Sequence, residues 1–234
     1  MRPFPSMARS LPLGLALLAI PALAQAGSVM LPGVTGGNLH VNVRSMKDKH
    51  FRSTVKQKYD FSCGSAALAT LLTYHYEDPV REEEVFDEMF SAGNKEKIRK
   101  EGFSMLDMKN FLDQRGYTAD GYKATLDQLA AVGVPAITLL NIKGFKHFVV
   151  VKGVTTKEVL VGDPALGATI HPRAEFESMW NGILFLIRSN KNLASDRFNQ
   201  VREWRISEKA PLGTALTPSD LANITLLAPG RAGL

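Results

Sequence analysis

The stretch QKYDFSCGSAALATLLTYHY, residues 57–76, carries the chain's one cysteine at the point where a polar loop gives way to an apolar helical pattern. Ala67, Leu68, Leu71, Leu72 and Tyr76 recur at helical spacing, which predicts a helix beginning near Ser62-Cys63-Gly64. Asp60 or Ser62 is expected to cap it, with Cys63 at or beside the first turn. Unsatisfied N–H groups and the positive end of the helix dipole there favour a thiolate over a thiol. Gly64 is expected to keep a substrate's backbone from being crowded. The competing reading is a small buried residue packing a helix start, a common use of cysteine.

Outward from this helix the helical pattern continues. Asp78-Pro79 resets the chain, with Pro79 expected at the first position of a second helix and Glu82 to Glu84 in its first turns. Ser104 caps a third helix over Met105 to Arg115, stopped by Gly116, and Thr125 with Gln128 forms a capping box for a short fourth. Lys95, Lys97, Arg99 and Lys100, interrupted by Glu96 and Glu101, read as a solvated loop or helix end. Then the texture changes. Ala136 to Asn141, Phe148 to Lys152, Glu158 to Gly162 and Gly182 to Arg188 are short β-branched or aromatic runs bounded by Gly, Pro and Asp, with one further helix over Arg173 to Trp180. Helices first, then a mostly antiparallel sheet, predict an α+β fold.

The chain's first 26 residues read as a secretory signal peptide: Arg2 and Arg9, an apolar run from Leu11 to Ala22, and Ala24-Gln25-Ala26 before Gly27. The run has about 12 residues, too few for a membrane span of roughly 20. A retained anchor is the alternative. Residues 27–50 read as a linker or edge segment, 51–190 as the organised domain, and 191–234 as a C-terminal extension. Within the extension Trp204 and Ile206 are expected to dock, and the part after Lys209 to be loosely held. Loss of the two arginines lowers the formal charge from +5 to +3, which is no nucleic-acid footprint. No phosphate-cradling Gly-rich motif is present. An exported chain with a single cysteine forms no internal disulfide, so Cys63 is either inert or kept for reactivity.

Five histidines compete to be the base for Cys63. His40 and His50 precede the domain, and His171 precedes the helix at Pro172. His75 lies 12 residues along the helix from Cys63, about 18 Å by helical rise, and does not reach it. His147 opens an apolar strand, where a polar ring needs a partner. His147 and Asp163 flank a hairpin turning around Val154 to Thr156, so a symmetric register sets them opposite one another with Cβ atoms about 5 Å apart. Asp163 is then placed to accept the ring N–H and fix the tautomer. Asn181 is the runner-up for that task, and an Asp-Pro turn is the ordinary reading of Asp163-Pro164. Acyl transfer also needs oxyanion donors. The Cys63 N–H is one candidate and the Gln57 amide, six residues upstream, is the other.

Gln57-Lys-Tyr-Asp60-Phe-Ser-Cys63-Gly64, Gly144-Phe-Lys-His147-Phe-Val-Val-Val151 and Val161-Gly-Asp163-Pro164-Ala-Leu-Gly167 together resemble the bacteriocin-processing leader peptidases, cysteine peptidase family 39. The resemblance covers about residues 50 to 190. It implies a papain-like fold, Cys63 as nucleophile, His147 as general base, Asp163 as orienting acid and Gln57 as oxyanion donor, in a narrow cleft that cuts after small residues. Phe61-Ser62 departs from the acidic residue often found before the cysteine. A signal peptide on a free-standing domain resembles the periplasmic peptidases of functional-amyloid export. It implies an amyloid or fibre subunit as substrate and an outer-membrane secretion pore as partner. Neither cofactor nor metal is expected, since one Cys and scattered His lack zinc-ligand spacing. Two other readings are a non-catalytic leader-binding module and a transamidase that passes the acyl group to an amine.

Overall fold

The computed structural model describes residues 28–32, 38–42 and 49–205; the signal-peptide pattern, Ile206 and the chain after Lys209 lie outside these. Two units are distinguished, one ending at Arg44 and one beginning at Ser45. In the first, β1 (Ser28–Pro32) pairs antiparallel with β2 (Asn38–Asn42), Met30 opposite His40. The stretch read as a linker therefore holds a hairpin, consistent with its alternating Val and Leu on either side of a Gly-rich run.

In the second unit helices pack on a six-stranded antiparallel sheet ordered β3-β8-β4-β5-β6-β7, so the α+β expectation holds. The central element is α1 (Cys63–His75), in which every residue from Cys63 to Leu72 is buried. Ala66, Ala67 and Ala69 keep its girth small. Neighbours approach it closely on all sides, as expected of a helix that is apolar all round. Around it lie α2 (Glu82–Ala92), α3 (Lys95–Glu101) and α4 (Met105–Gln114). Then follow β3 (Ala119–Lys123), α5 (Leu126–Val132), β4 (Ala136–Ile142), β5 (Phe145–Val154), β6 (Glu158–Asp163), β7 (Gly167–Pro172), α6 (Arg173–Met179) and β8 (Trp180–Ile187).

Strand β5 is buried on both faces. Phe148 and Val150 join the core beneath α1, while Val149 and Val151 join a second core with Leu126, Leu129 and Phe176. Truncating a leucine such as Leu68 to alanine here is expected to cost about 2–5 kcal/mol.

Several local expectations need correction. The second helix starts at Glu82, not Pro79, because Val80 is held by Thr73, whose hydroxyl lies 3.1 Å from both its N–H and its carbonyl. The basic run is a helix, α3, capped by Asn94 and anchored by the single buried residue Ile98. Edge strands β3 and β7 were not anticipated. Lys109 of α4 donates to the Ala119 carbonyl of β3, and His50 Nδ1 lies 2.7 Å from the Ala168 carbonyl of β7. The packed body also runs past residue 190, through α7 (Lys191–Ser195) and α8 (Val201–Trp204), with Ala194 and Phe198 buried and Trp204 half-buried against the domain.

Candidate active site

Cys63 is the first residue of α1 and only 6% exposed. Neither expected cap is made. The Ser62 hydroxyl turns back to Tyr59, 3.1 Å from its N–H and 3.0 Å from its carbonyl, and no side chain caps the helix. No acidic residue of α1 itself occupies the first turn, although the Ser65 hydroxyl donates to the buried Glu82 carboxylate of α2 at 3.0 Å. Gly64 serves packing, not substrate approach: a Cβ there would lie 3.0 Å from Phe103 Cβ and 3.1 Å from Met108 Cε.

His147 is the third residue of β5, which starts at Phe145, so the histidine lies inside the strand rather than at its opening. It is 4% exposed, and Asp163, the last residue of β6, is 5% exposed. Their side chains meet at 2.8 Å, His147 Nε2 to Asp163 Oδ1. A carboxylate only accepts, so Nε2 carries the proton and the ring's orientation is set. The predicted register is not the observed one. Val151 pairs with Val161 and Val150 with Gly162, and the register shifts between Val151 and Gly153. Asp163 is therefore diagonal to His147 instead of opposite it. Asp163 Oδ1 also accepts the N–H groups of Ala165 at 2.7 Å and Leu166 at 3.2 Å, a turn that locks the carboxylate.

The remaining ring nitrogen, Nδ1, is buried without a hydrogen bond among the described residues. Cys63 is the neighbour that interacts with this ring besides Asp163. Burial is the largest influence on the imidazole and favours its neutral form. The ring's hydrogen bond to Asp163, then its interaction with Cys63, outweigh it, and the ring is raised to about 9. Burial likewise pushes Asp163 up, but its bonds to His147, Ala165 and Leu166 prevail and its carboxyl is lowered. The result is an imidazolium beside a sulfur, with its distal N–H clamped. Phe145 lies beside the ring, near-parallel to it with centroids 6.1 Å apart.

Gln57 lies where the sequence placed it, just upstream of the helix. Its backbone N–H donates to the Pro164 carbonyl at 2.9 Å, tying the loop before Cys63 to the turn after Asp163. Its Nε2 donates to the Tyr59 carbonyl at 3.0 Å, and Oε1 is buried without a partner among the described residues. An amide nitrogen has two hydrogens, so one donor remains for an oxyanion. Asn181 is not brought to the pair: its Oδ1 accepts from the Ile183 N–H at 3.0 Å. His50, bonded to β7, and His171, 3.1 Å from the Thr169 hydroxyl, are also elsewhere, and His75 is buried at the far end of α1. Sequence reasoning overlooked Phe145, a large exposed aromatic two residues before His147. The Asp-Pro turn, read from the sequence as the alternative to a partnership with His147, is present together with that partnership.

The peptidase C39 family profile matches residues 52–192. Over 209 residues the chain is 39% identical to the "Probable functional amyloid protease FapD" of Pseudomonas aeruginosa, covering 82% of this chain and 92% of that protein. Over 172 residues it is 41% identical to the protein of the same name from Pseudomonas fluorescens, covering 73% and 76% respectively. The peptidase domain of Streptococcus ComA, a bifunctional ABC transporter, superimposes with a TM-score of 0.50 at 22% identity, covering 58% of this chain and 96% of that domain.

Proposed function

This chain belongs to the peptidase C39 family and is a cysteine peptidase; from that premise we propose that it is an exported endopeptidase using Cys63, His147, Asp163 and Gln57. Its substrate is an exported protein cut after small residues. The relatives' name supports a fibre or amyloid subunit, and an outer-membrane pore is the corresponding partner. The signal-peptide pattern of residues 1–26 supports a periplasmic location.

Chemistry follows from the arrangement. The Cys63 thiolate adds to the scissile carbonyl, forming the C–S bond, and the oxyanion is held by the Cys63 N–H and the Gln57 amide. The His147 imidazolium gives its Nδ1 proton to the departing amine as the C–N bond breaks. The neutral ring then takes a proton from water, hydroxide attacks the thioester, and the thiolate leaves. Asp163 keeps Nε2 protonated throughout. Reaction of the thioester with water rather than an amine separates this reading from transamidation.

The observation that carries the proposal is the 2.8 Å His147–Asp163 bond, buried and facing the sulfur at an uncapped helix start. The test compares exported proteins, by intact mass, from cells carrying wild type or Cys63→Ala. A precursor is expected to replace at least one mature species in the variant. Identical species in both strains would remove the proposal.

A further inference from the structure

The β5–β6 hairpin is set at its turn by Val154 opposite Val159 and Gly153 opposite Leu160. Continued without interruption, that register sets Asp163 opposite Val150. Directly opposed residues share a face and successive residues alternate. His147, three positions from Val150, would then point away from Asp163. One extra residue, Lys152, changes the parity. Beyond it Val150 opposes Gly162, the next step sets Val149 against Asp163, and His147 falls two residues along the same face. The 2.8 Å bond depends on this bulge.

The bulge is held from outside the hairpin. β4 starts at Ala136 opposite Val151, so the main chain of Lys152 to Val154 runs past it, and Asn199 takes the vacant place. Its N–H donates to the Lys152 carbonyl at 2.9 Å, and its Nδ2 donates to the Val154 carbonyl at 3.2 Å. Its Oδ1 accepts the Val154 N–H at 2.8 Å. Asn199 has φ +54, a left-handed conformation that asparagine adopts more readily than most residues. Gly153 makes the approach feasible: a Cβ there would lie 2.3 Å from Asn199 Oδ1 and 3.0 Å from Trp204 Cζ2. On the other side Lys152 Nζ, fully buried, meets Glu203 Oε2 at 2.5 Å and donates to the Ser53 carbonyl at 2.9 Å. Asn199 and Glu203 both lie beyond residue 192, where the family match ends.

We propose that Asn199, backed by Glu203, is a positioning residue for catalysis: it fixes the Lys152 bulge and thereby keeps His147 and Asp163 on one face. This rests on the catalytic assignment of that pair. The test uses the purified mature chain with ¹³C-labelled histidine. It follows the His147 ring titration, and kcat and KM on a peptide that the wild type cleaves. Asn199→Ala is expected to lower kcat by about 10–100-fold with KM little changed, and to lower the ring's titration midpoint by about one pH unit. Asn199→Asp keeps the acceptor for the Val154 N–H but loses the donor, so it should fall between. If Asn199→Ala does not fold, Asn199→Asp and Glu203→Gln carry the test by the same criteria. A wild-type ring that titrates at an ordinary histidine value would overturn the catalytic assignment and this inference with it. A raised wild-type ring left unmoved in the variants, with only melting temperature lowered, would overturn the inference alone.

Discussion

Two buried histidines stand at opposite ends of α1, and the contrast between them explains what makes one of them useful. His147 meets the helix start at Cys63, whereas His75 is its last residue and lies close to Lys152 of β5. Twelve helical steps span about 18 Å and the five strand steps from His147 to Lys152 about 17 Å, so helix and strand run side by side. Burial drives both rings toward neutrality. His147 has a carboxylate as neighbour and is raised to about 9. His75 is lowered well below the ordinary value by burial, then by Lys152 and Arg197, which together outweigh its contact with the Arg197 backbone. Dryness alone yields an inert imidazole; the partner decides.

The contrast is broken most severely by giving His147 the electrostatics of His75. Asp163→Asn removes the counter-charge and the fixed tautomer, and should lower kcat by about 10³–10⁴-fold. The wild-type activity should decline as pH rises through about 9, where the imidazolium loses its proton, and in the variant that decline should move to lower pH. Retention of more than about a tenth of the activity would contradict the assignment.

A smaller effect concerns folding stability. A raised His147 contributes fully below the unfolded value of about 6.5 and loses that contribution as pH rises through about 9. A lowered His75 does the reverse: the folded state resists a proton the unfolded chain accepts, so stability declines as pH falls below about 6.5. Urea melts should therefore show greatest stability near pH 6.5 from these two groups. A curve unchanged between pH 5 and 6.5 would refute the part given to His75.

The mildest change is His75→Leu, which removes a buried imidazole held in its neutral form. It should flatten the acid side of that curve and alter kcat by less than about twofold. Loss of activity with the fold intact would show that the far end of α1 communicates with Cys63.

Legibility followed the range of the interactions. The helix at Cys63 was readable from its apolar spacing, and the caps at Ser104 and Thr125 because a cap is local chemistry at fixed spacing. The His147–Asp163 partnership was also readable, although for a partly mistaken reason. A symmetric hairpin has the same parity as the observed one, and the bulge that restores this parity left only Gly153 as a trace. The Lys152–Glu203 pair was not legible, since 51 positions separate two residues joined by packing alone. β3 escaped because Ala-Asp-Gly-Tyr-Lys is an edge strand with mostly polar residues, and α3 because a charged helix with one buried side chain has almost no apolar period.

The two outer strands of the sheet have a consequence of their own. An unpaired strand edge is a template on which another extended chain can grow. Here β3 has only five residues, bears Asp120 and Lys123, and has a carbonyl occupied by Lys109. At the opposite border β7 ends in Pro172 and is pinned at Ala168 by His50. Both borders are blunted, so this peptidase offers extended polypeptides little ladder to be recruited onto.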